Sequence, residues 1–389
     1  MNQLKVPAVD LKLQYEAIRE EVQAAVRQVF DRQTFVLGAE VAALEQEMAR
    51  RHDCAYAVGC ASGSDALLLS LLALGVEAGD AVLVPSFTFF STASSVARLG
   101  AKPIFVDIDP RTFNVSPAAV EQALRNNPSN DVKALIPVHL YGQCADMGAL
   151  MALSGRNGVA VIEDCAQAVM AKYQGRAAGS IGKSGCFSFY PTKNLSGAGD
   201  GGMITTNDKG LADRLRLLRN HGSEDKQIFR MLGMNSRLDT LQAAVLLVKL
   251  RHLEEWTDLR RQKAEYYFKA FSATDLIAAG EIYPSPGAPI VLPCHTTEPD
   301  PVYHQFTVRA QDRDNLANHL QANGISAAVY YSIPLHRQPA FANLAPSGAC
   351  LEADRAAREV LSLPIYPELS ESQQSYVVDQ VCTFYQASR

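Results

Sequence analysis

No stretch of this 389-residue sequence approaches the ~20 consecutive apolar residues that span a bilayer, so no membrane partner is expected. Charge does not lean far to one side either. The formal net charge is −5, from 36 Lys+Arg and 41 Asp+Glu, and leaves no footprint for nucleic acid or anionic lipid. The opening MNQLKVPAVDLKLQYE lacks a basic segment followed by an apolar one. No secretory signal is read there, and a cytoplasmic location is expected. The eight cysteines (Cys54, Cys60, Cys144, Cys165, Cys186, Cys294, Cys350 and Cys382) include no C-x-x-C pair. Buried thiols are expected of them, not a metal site. No G-x-G-x-x-G follows the first predicted strand, which removes the fingerprint of a dinucleotide-binding dehydrogenase. Internal repeats and low-complexity segments are missing as well.

What is present is ordinary globular composition, 48% hydrophobic and 20% charged, in a chain long enough for two or three cores. Two amphipathic patterns, 13–30 and 38–51, predict helices. A strand at 56–61 runs into Gly63-Ser64-Asp65 and the nearly all-apolar segment 66–74, a helix that must be deeply buried. Strands at 81–84, 103–106, 132–138 and 159–162 alternate with helices, with Ser116-Pro117 opening one of them. Further strands are expected at 186–190 and 203–206. Short alternating units of this kind predict an α/β fold, a three-layer, mainly parallel sheet covered on both faces. A long helical pattern from Leu238 to about Phe271 bridges to a smaller C-terminal α+β unit. Strands at 304–309 and 327–331 and helices at 312–323, 352–362 and 370–385 are predicted there. The division is placed at 1–250 and 251–389.

In parallel sheets ligands bind beyond the carboxyl ends of the strands, and polar residues cluster there. The stretch CFSFYPTKNLSGAGDGG, 186–202, sets Lys193 between an apolar strand and a glycine-rich turn. Asp164 ends the strand at 159–162. It reads either as a helix cap or as a carboxylate facing a cationic heterocycle such as the ring of pyridoxal phosphate. A lysine holding that cofactor would need a partly desolvated site. Gly63-Ser64 at a helix N-terminus offers backbone N–H groups to a phosphate, or is a plain N-cap. Ser188 is a further phosphate ligand or a strand serine. Phe89 stacks on a heterocycle or belongs to the core. The glycines after Lys193 would let the backbone turn closely beneath a flat cofactor.

Seven ordered motifs resemble the DegT/DnrJ/StrS family of nucleotide-sugar aminotransferases, fold-type-I pyridoxal-phosphate enzymes. They are GCASGSDALLLSLLALGV, VPSFTFFSTASSVARLGAKPIFVDIDPRTFNVSP, PVHLYGQCADM, VIEDCAQA, SFYPTKNLSGAGDGG, RNHG and LGMNSRLDTLQAA. The resemblance spans FVLGAEVAALEQEMA at 35–49 to IPLHRQPAF at 333–341. It implies that Lys193 is the catalytic residue, carrying the cofactor as a Schiff base and moving the proton, with pyridoxamine phosphate as the alternate form. Asp164 is implied to pair with the pyridine nitrogen, Gln167 to contact the 3-hydroxyl side and Phe89 to stack. Gly63, Ser64 and Ser188 match the phosphate cradle. Asn235 matches a residue that reaches the phosphate of a neighbouring subunit, which implies a homodimer with shared active sites. Arg237, Tyr330 and His336 match positions near the sugar, Arg237 being equally readable as a structural ion pair.

The departures keep the required groups. Ser64 stands where Thr is frequent, Phe89 where Trp or Tyr is, and Ser196 where Gly is common. The string NSRLDTLQAA, with Ser236 where 4-oxo enzymes more often carry Tyr, resembles members that aminate a 3-oxo sugar nucleotide with L-glutamate as donor. UDP-linked uronates and dTDP-linked deoxyhexoses stay open. Three rivals are weighed. A pyridoxamine-dependent dehydratase would replace Lys193 by His. A non-catalytic regulator could keep it. A dehydrogenase lacks its fingerprint here.

Overall fold

The computed structural model describes residues 4–127, 131–225, 227–294, 300–344 and 350–387. Helices α1 (Leu11–Arg32) and α2 (Ala39–Arg51) open the chain. Asp10 caps α1 by accepting from the backbone N–H groups of Lys12 and Leu13. Alternation follows through β1 (Tyr56–Cys60), α3 (Gly63–Ala73), β2 (Ala81–Pro85), α4 (Phe90–Ala97), β3 (Lys102–Val106), α5 (Pro117–Asn126), β4 (Val132–Leu135), α6 (Met147–Asn157) and β5 (Ala160–Asp164). An unforeseen hairpin, β6 (Lys172–Tyr173) and β7 (Arg176–Ala177), precedes β8 (Ser184–Ser188), β9 (Gly202–Thr206) and α7 (Lys209–Leu218).

Seven of these strands form one sheet in the order β1-β9-β8-β5-β4-β2-β3. All neighbours are parallel except β9, which runs against both β8 and β1. The carboxyl ends of β1, β2, β5 and β8 therefore emerge on one edge. Gly63, Phe89, Asp164 and Ser188 sit at or just after those ends. The burial of α3 is as its sequence requires: Leu67, Leu68, Leu69 and Leu71 are all buried. The helix lies between β8 and β9 on one side and α4 and α7 on the other, so no face is left for polar residues.

Helix α8 (Thr240–Ser272) has 33 residues, a rod of about 50 Å at 1.5 Å per residue. Leu246, Leu250 and Leu253 pack with Phe187 and Met203 of the large sheet. Further along, Tyr267, Phe268 and Phe271 pack in the C-terminal core. Residue 250 thus falls inside an unbroken helix that serves both cores. Val6 pairs with Ile325 and is buried in the C-terminal core as well.

The second sheet is antiparallel, β10 (Ile290–Val291), β11 (Phe306–Ala310) and β12 (Val360–Leu363), in that order. Helices α9 (Arg313–Ala322), α10 (Leu351–Glu359) and α11 (Glu371–Ala387) complete the unit. The structure corrects three of the expected elements. The helix predicted over 352–362 stops at Glu359, and Val360-Leu361-Ser362-Leu363 becomes the strand beside β11 because all four residues are buried. The strand predicted at 327–331 reduces to a single bridge, Ala328 to Ser362. The strand predicted at 186–190 starts earlier and stops at Ser188.

The two units are joined by buried polar contacts. Asp107, just past β3, caps α10 from outside: its Oδ2 accepts from the N–H of Glu352 and its Oδ1 from that of Ala353, each at 3.0 Å. Arg309 is buried, pairs with Glu359 at 2.7 Å and donates to the Pro110 carbonyl at 2.8 Å. Asp107→Ala would leave both helix N–H groups without their acceptor and should cost about 0.5–2 kcal/mol. Urea unfolding of the variant against the wild type measures it.

Candidate active site

Strand β5 ends in two acids that face opposite ways, as successive strand residues must. Glu163 points into the protein. Its carboxylate accepts from the backbone N–H groups of Gly179 at 2.9 Å and of Ile181 and Gly182 at 2.7 Å, and lies 3.0 Å from His139 Nε2. His139 Nδ1 accepts from the Ala145 N–H at 3.1 Å, so the imidazole proton sits on Nε2 and is donated to Glu163. Burial works to raise the Glu163 pKa, but His139 and the backbone donors outweigh it and the net shift is downward. Glu163 is an internal tie for the 179–182 loop. His139, Glu163 and Cys165 lie together, yet both ring nitrogens and both carboxylate oxygens are already engaged.

Asp164 is the opposite case. It is 5% exposed, accepts from Thr92 Oγ1 at 2.9 Å and from the Ala166 N–H at 3.2 Å, and has no full ion pair among the described residues. Burial raises its pKa, and the hydrogen bonds and the more distant Lys193 offset this only in part. A carboxylate left in that state is stabilised by a cation brought against it.

Lys193 approaches from β8. The chain turns after Tyr190, whose carbonyl accepts from the Lys193 N–H at 2.9 Å, and Phe189 accepts from Gly197 at 2.8 Å. Burial lowers the amine's pKa to about 8, with Asp164 pulling the other way. A neutral amine is thus accessible near neutral pH, as a nucleophilic lysine requires. Two of the glycines that follow are required by packing inside the protein. A Cβ on Gly197 would lie 2.7 Å from Gln242 Oε1 and one on Gly201 3.0 Å from Leu238 Cδ1. They let the loop pack against the segment that opens α8.

The anion cradle lies beside this pair. Ser62 caps α3, accepting from Asp65 N–H at 3.1 Å, which leaves the N-terminal N–H groups of Gly63 and Ser64 for a ligand. A Cβ on Gly63 would be 2.6 Å from Ser188 Cβ, and one on Gly202 2.3 Å from the Ser62 carbonyl oxygen. Only glycine lets β8, β9 and the start of α3 approach one another this closely. Ser64 Oγ is 2.5 Å from Ser91 Oγ. Ser236, fully buried, donates to Asp65 Oδ2 at 2.7 Å and accepts from the Ala61 N–H at 3.2 Å, so it braces the cradle.

Phe89 precedes α4 and is 57% exposed, a large apolar ring facing open space. Its centroid is 6.4 Å from that of Tyr331. Gln167 accepts from the Tyr141 N–H at 2.7 Å and donates to Tyr331 Oη at 3.2 Å. Tyr331 presents its hydroxyl here, and Tyr330 contributes its carbonyl to the Tyr141 hydroxyl. Asn235 is exposed and pairs by its backbone with Asn220. Arg237 donates to Asn220 Oδ1 at 2.9 Å and lines a cavity of about 400 Å³ with Ser62 and Asp200. The ion pair considered for it is not found among the described residues. His336 is placed at the α10 seam, 3.2 Å from Asp354 Oδ1; burial lowers its pKa, with Asp354 opposing.

Gly63, Ser64, Phe89, Asp164, Gln167, Ser188 and Lys193 thus share one edge. Thr92 and Tyr331 were missed. Thr92 sits three residues after Phe89, one helical turn away, which is the signal that could have found it.

A model described as the DegT/DnrJ/EryC1/StrS aminotransferase family matches residues 16–382. The chain belongs to this family. It is 47% identical to "Pleiotropic regulatory protein" of Geobacillus stearothermophilus, over 98% of this chain and 99% of that one. It is 44% identical to UDP-N-acetyl-3-dehydro-alpha-D-glucosamine 3-aminotransferase of Acidithiobacillus ferrooxidans, over 95% of each. The crystal structure of S. venezuelae DesV with a ketimine intermediate superposes with a TM-score of 0.91 at 42% identity, covering 98% of this chain and 99% of that one. The family member described here is a pyridoxal-phosphate-dependent sugar aminotransferase. Its residues fit the cofactor. Asp164 is a buried acid without a full counter-charge, which a pyridinium would supply; Gly63 and Ser64 at the α3 N-terminus, with Ser188 beside them, offer donors suited to a phosphate, and Lys193 lies alongside.

The amine of Lys193 should therefore react with an amine-directed reagent along a pH curve centred at about 8 in cofactor-free protein, well below the ~10.4 of exposed lysines. Asp164→Asn removes the charge that favours the ammonium, so it should move the curve lower still. Competitive labelling followed by mass spectrometry of the Lys193 peptide reads both.

Proposed function

We propose that this aminotransferase moves the amino group of L-glutamate onto a 3-oxo hexose or 3-oxo uronate carried by a nucleotide. The amino sugar nucleotide formed would serve surface polysaccharide or glycoside synthesis. The observation that carries the reaction is the buried Asp164 with Lys193 beside it at one sheet edge. The 3-oxo preference is supported by the 44% identity to a 3-aminotransferase and by Ser236.

Pyridoxal phosphate, when bound, supplies the electron sink for breaking a bond at the donor's α-carbon. Asp164 would hold the ring nitrogen protonated, Gln167 would orient the ring's oxygen side, and Phe89 would cover a face. The N–H groups of Gly63 and Ser64 and the hydroxyl of Ser188 hold the phosphate. Lys193, released as a neutral amine, takes the proton from the donor carbon and returns it on the cofactor side. In the second half-reaction the same residue runs the transfer in reverse on the oxo sugar. Arg237, Tyr330 and His336 are proposed to meet the sugar nucleotide; among the described residues the Arg237 guanidinium donates to Asn220 Oδ1.

We also propose a cytoplasmic homodimer with shared active sites. Asn235 is exposed, and Ile228, Phe229 and Leu232 on the same 220–235 loop are 63%, 60% and 96% exposed. Such a patch favours burial against a second copy. The division into units 1–250 and 251–389 is kept as a working boundary. A 4-oxo substrate is the competing specificity. A regulator without catalysis is the competing class, favoured by the name of the Geobacillus relative.

Incubation with L-glutamate alone, then with 3-oxo and 4-oxo sugar nucleotides, separates these readings. Glutamate should move the cofactor's absorbance from ~420 nm to ~330 nm, and a 3-oxo sugar should restore it. No change with glutamate favours the regulator, and restoration by 4-oxo sugars alone overturns the 3-oxo assignment. Lys193→Ala should fold normally and lose turnover by at least ~1,000-fold, read by product formation and by thermal unfolding.

A further inference from the structure

Residues 302–305, leading into β11, lie across both loops that build the site. Val302 N–H donates to the Gly142 carbonyl at 2.9 Å and Gln305 N–H to the Tyr141 carbonyl at 3.2 Å. Gly142 has φ +100°, and a Cβ there would be 2.8 Å from the His304 nitrogen, so the approach is close. On the other side Asn194, the residue after Lys193, donates its amide to the Val302 carbonyl at 3.2 Å, and its Oδ1 is 3.1 Å from His304 Nδ1. Asn194 and His304 are each 6% exposed.

The direction of the second bond follows from the first. Asn194 Nδ2 is the donor to Val302, so the atom facing His304 is the carbonyl oxygen, which only accepts. The imidazole proton therefore sits on Nδ1. The charged groups facing the ring are both cations, Lys193 on the turn and Arg260 on α8; Arg260 donates to the Tyr303 and Ile365 carbonyls. Burial first, and then these two cations, hold the imidazole well below its usual range.

We propose that His304 is a positioning residue for the transamination: its neutral Nδ1–H form locks Asn194, and with it the turn that presents Lys193, without adding a second positive charge beside that amine. Nothing about the anion cradle requires it, and a leucine of similar bulk would fill the same space. The polar link to the lysine's turn is what a histidine adds.

The inference rests on Lys193 being the cofactor-bearing lysine, and the tests separate the two. Borohydride reduction of the pyridoxal-phosphate-loaded protein and peptide mapping checks that premise. A label on Lys193 is expected; a label elsewhere overturns premise and inference together. Nitrogen-15 NMR of histidine-labelled loaded protein should show His304 neutral, with its proton on Nδ1, from about pH 6 to about pH 9. An Nε2–H form, or an imidazolium within that range, overturns the inference alone. His304→Leu should slow the single-turnover reaction with glutamate about tenfold and move the Lys193 limb of its pH profile, with half-saturation changed less than about twofold. His304→Asn, which keeps an N–H where Nδ1 stands, should recover the rate to within about threefold. A leucine variant that matches wild type, or leucine and asparagine variants slowed equally with the pH profile unmoved, overturns the positioning role. Should the leucine variant fail to fold, the asparagine variant and the NMR decide: an asparagine variant slowed by about tenfold overturns it.

Discussion

The site depends on one carboxylate taken out of water without a full counter-charge. Asp164 ends a buried strand, receives one hydroxyl and one backbone N–H, and is pushed toward its neutral form by burial. Its neighbour Glu163, equally buried, is pulled the other way because a histidine and three backbone N–H groups converge on it. Two adjacent acids thus have opposite demands. Glu163 is satisfied inside the protein and holds the fold. Asp164 is left for a ligand cation to satisfy.

That demand orders the remaining parts. A pyridinium against Asp164 would have the α3 N-terminus within the same edge to hold its phosphate, where Gly63 and Gly202 let the backbone segments approach closely. Lys193 would meet the cofactor's carbonyl side with an amine partly deprived of water and correspondingly easier to deprotonate. Phe89 offers a face at the β2 end, and the Gln167–Tyr331 pair closes the opposite side with groups from both units. The C-terminal unit is therefore part of the site, held there by the 302–305 segment and by the Asp107 cap on α10.

The sheet and the position of the site were legible because strand ends leave a mark in sequence: an apolar run stopping at Asp164, another running to Tyr190 just before Lys193, a third entering Gly63-Ser64. What was not legible depends on contacts between distant segments. Nothing local distinguishes Tyr331 from Tyr330, and only the approach of Gln167 does. Thr92 gains its role from β5, 72 positions away along the chain. Val360–Leu363 continues a helical pattern until β11 offers it a partner. Of the glycines after Lys193, Gly197 and Gly201 pack on the opening of α8, whereas Gly202 packs on Ser62.

The most direct test of the account is the protonation state of the bound cofactor's ring nitrogen. Pyridoxal phosphate labelled with nitrogen-15 in the ring, bound to the wild-type protein at neutral pH, should give the shift of a protonated pyridinium, and Asp164→Asn should give that of the unprotonated ring. An unprotonated ring in the wild type, or a pyridinium that survives the loss of Asp164, would contradict the role given to the buried acid and with it the arrangement of the site.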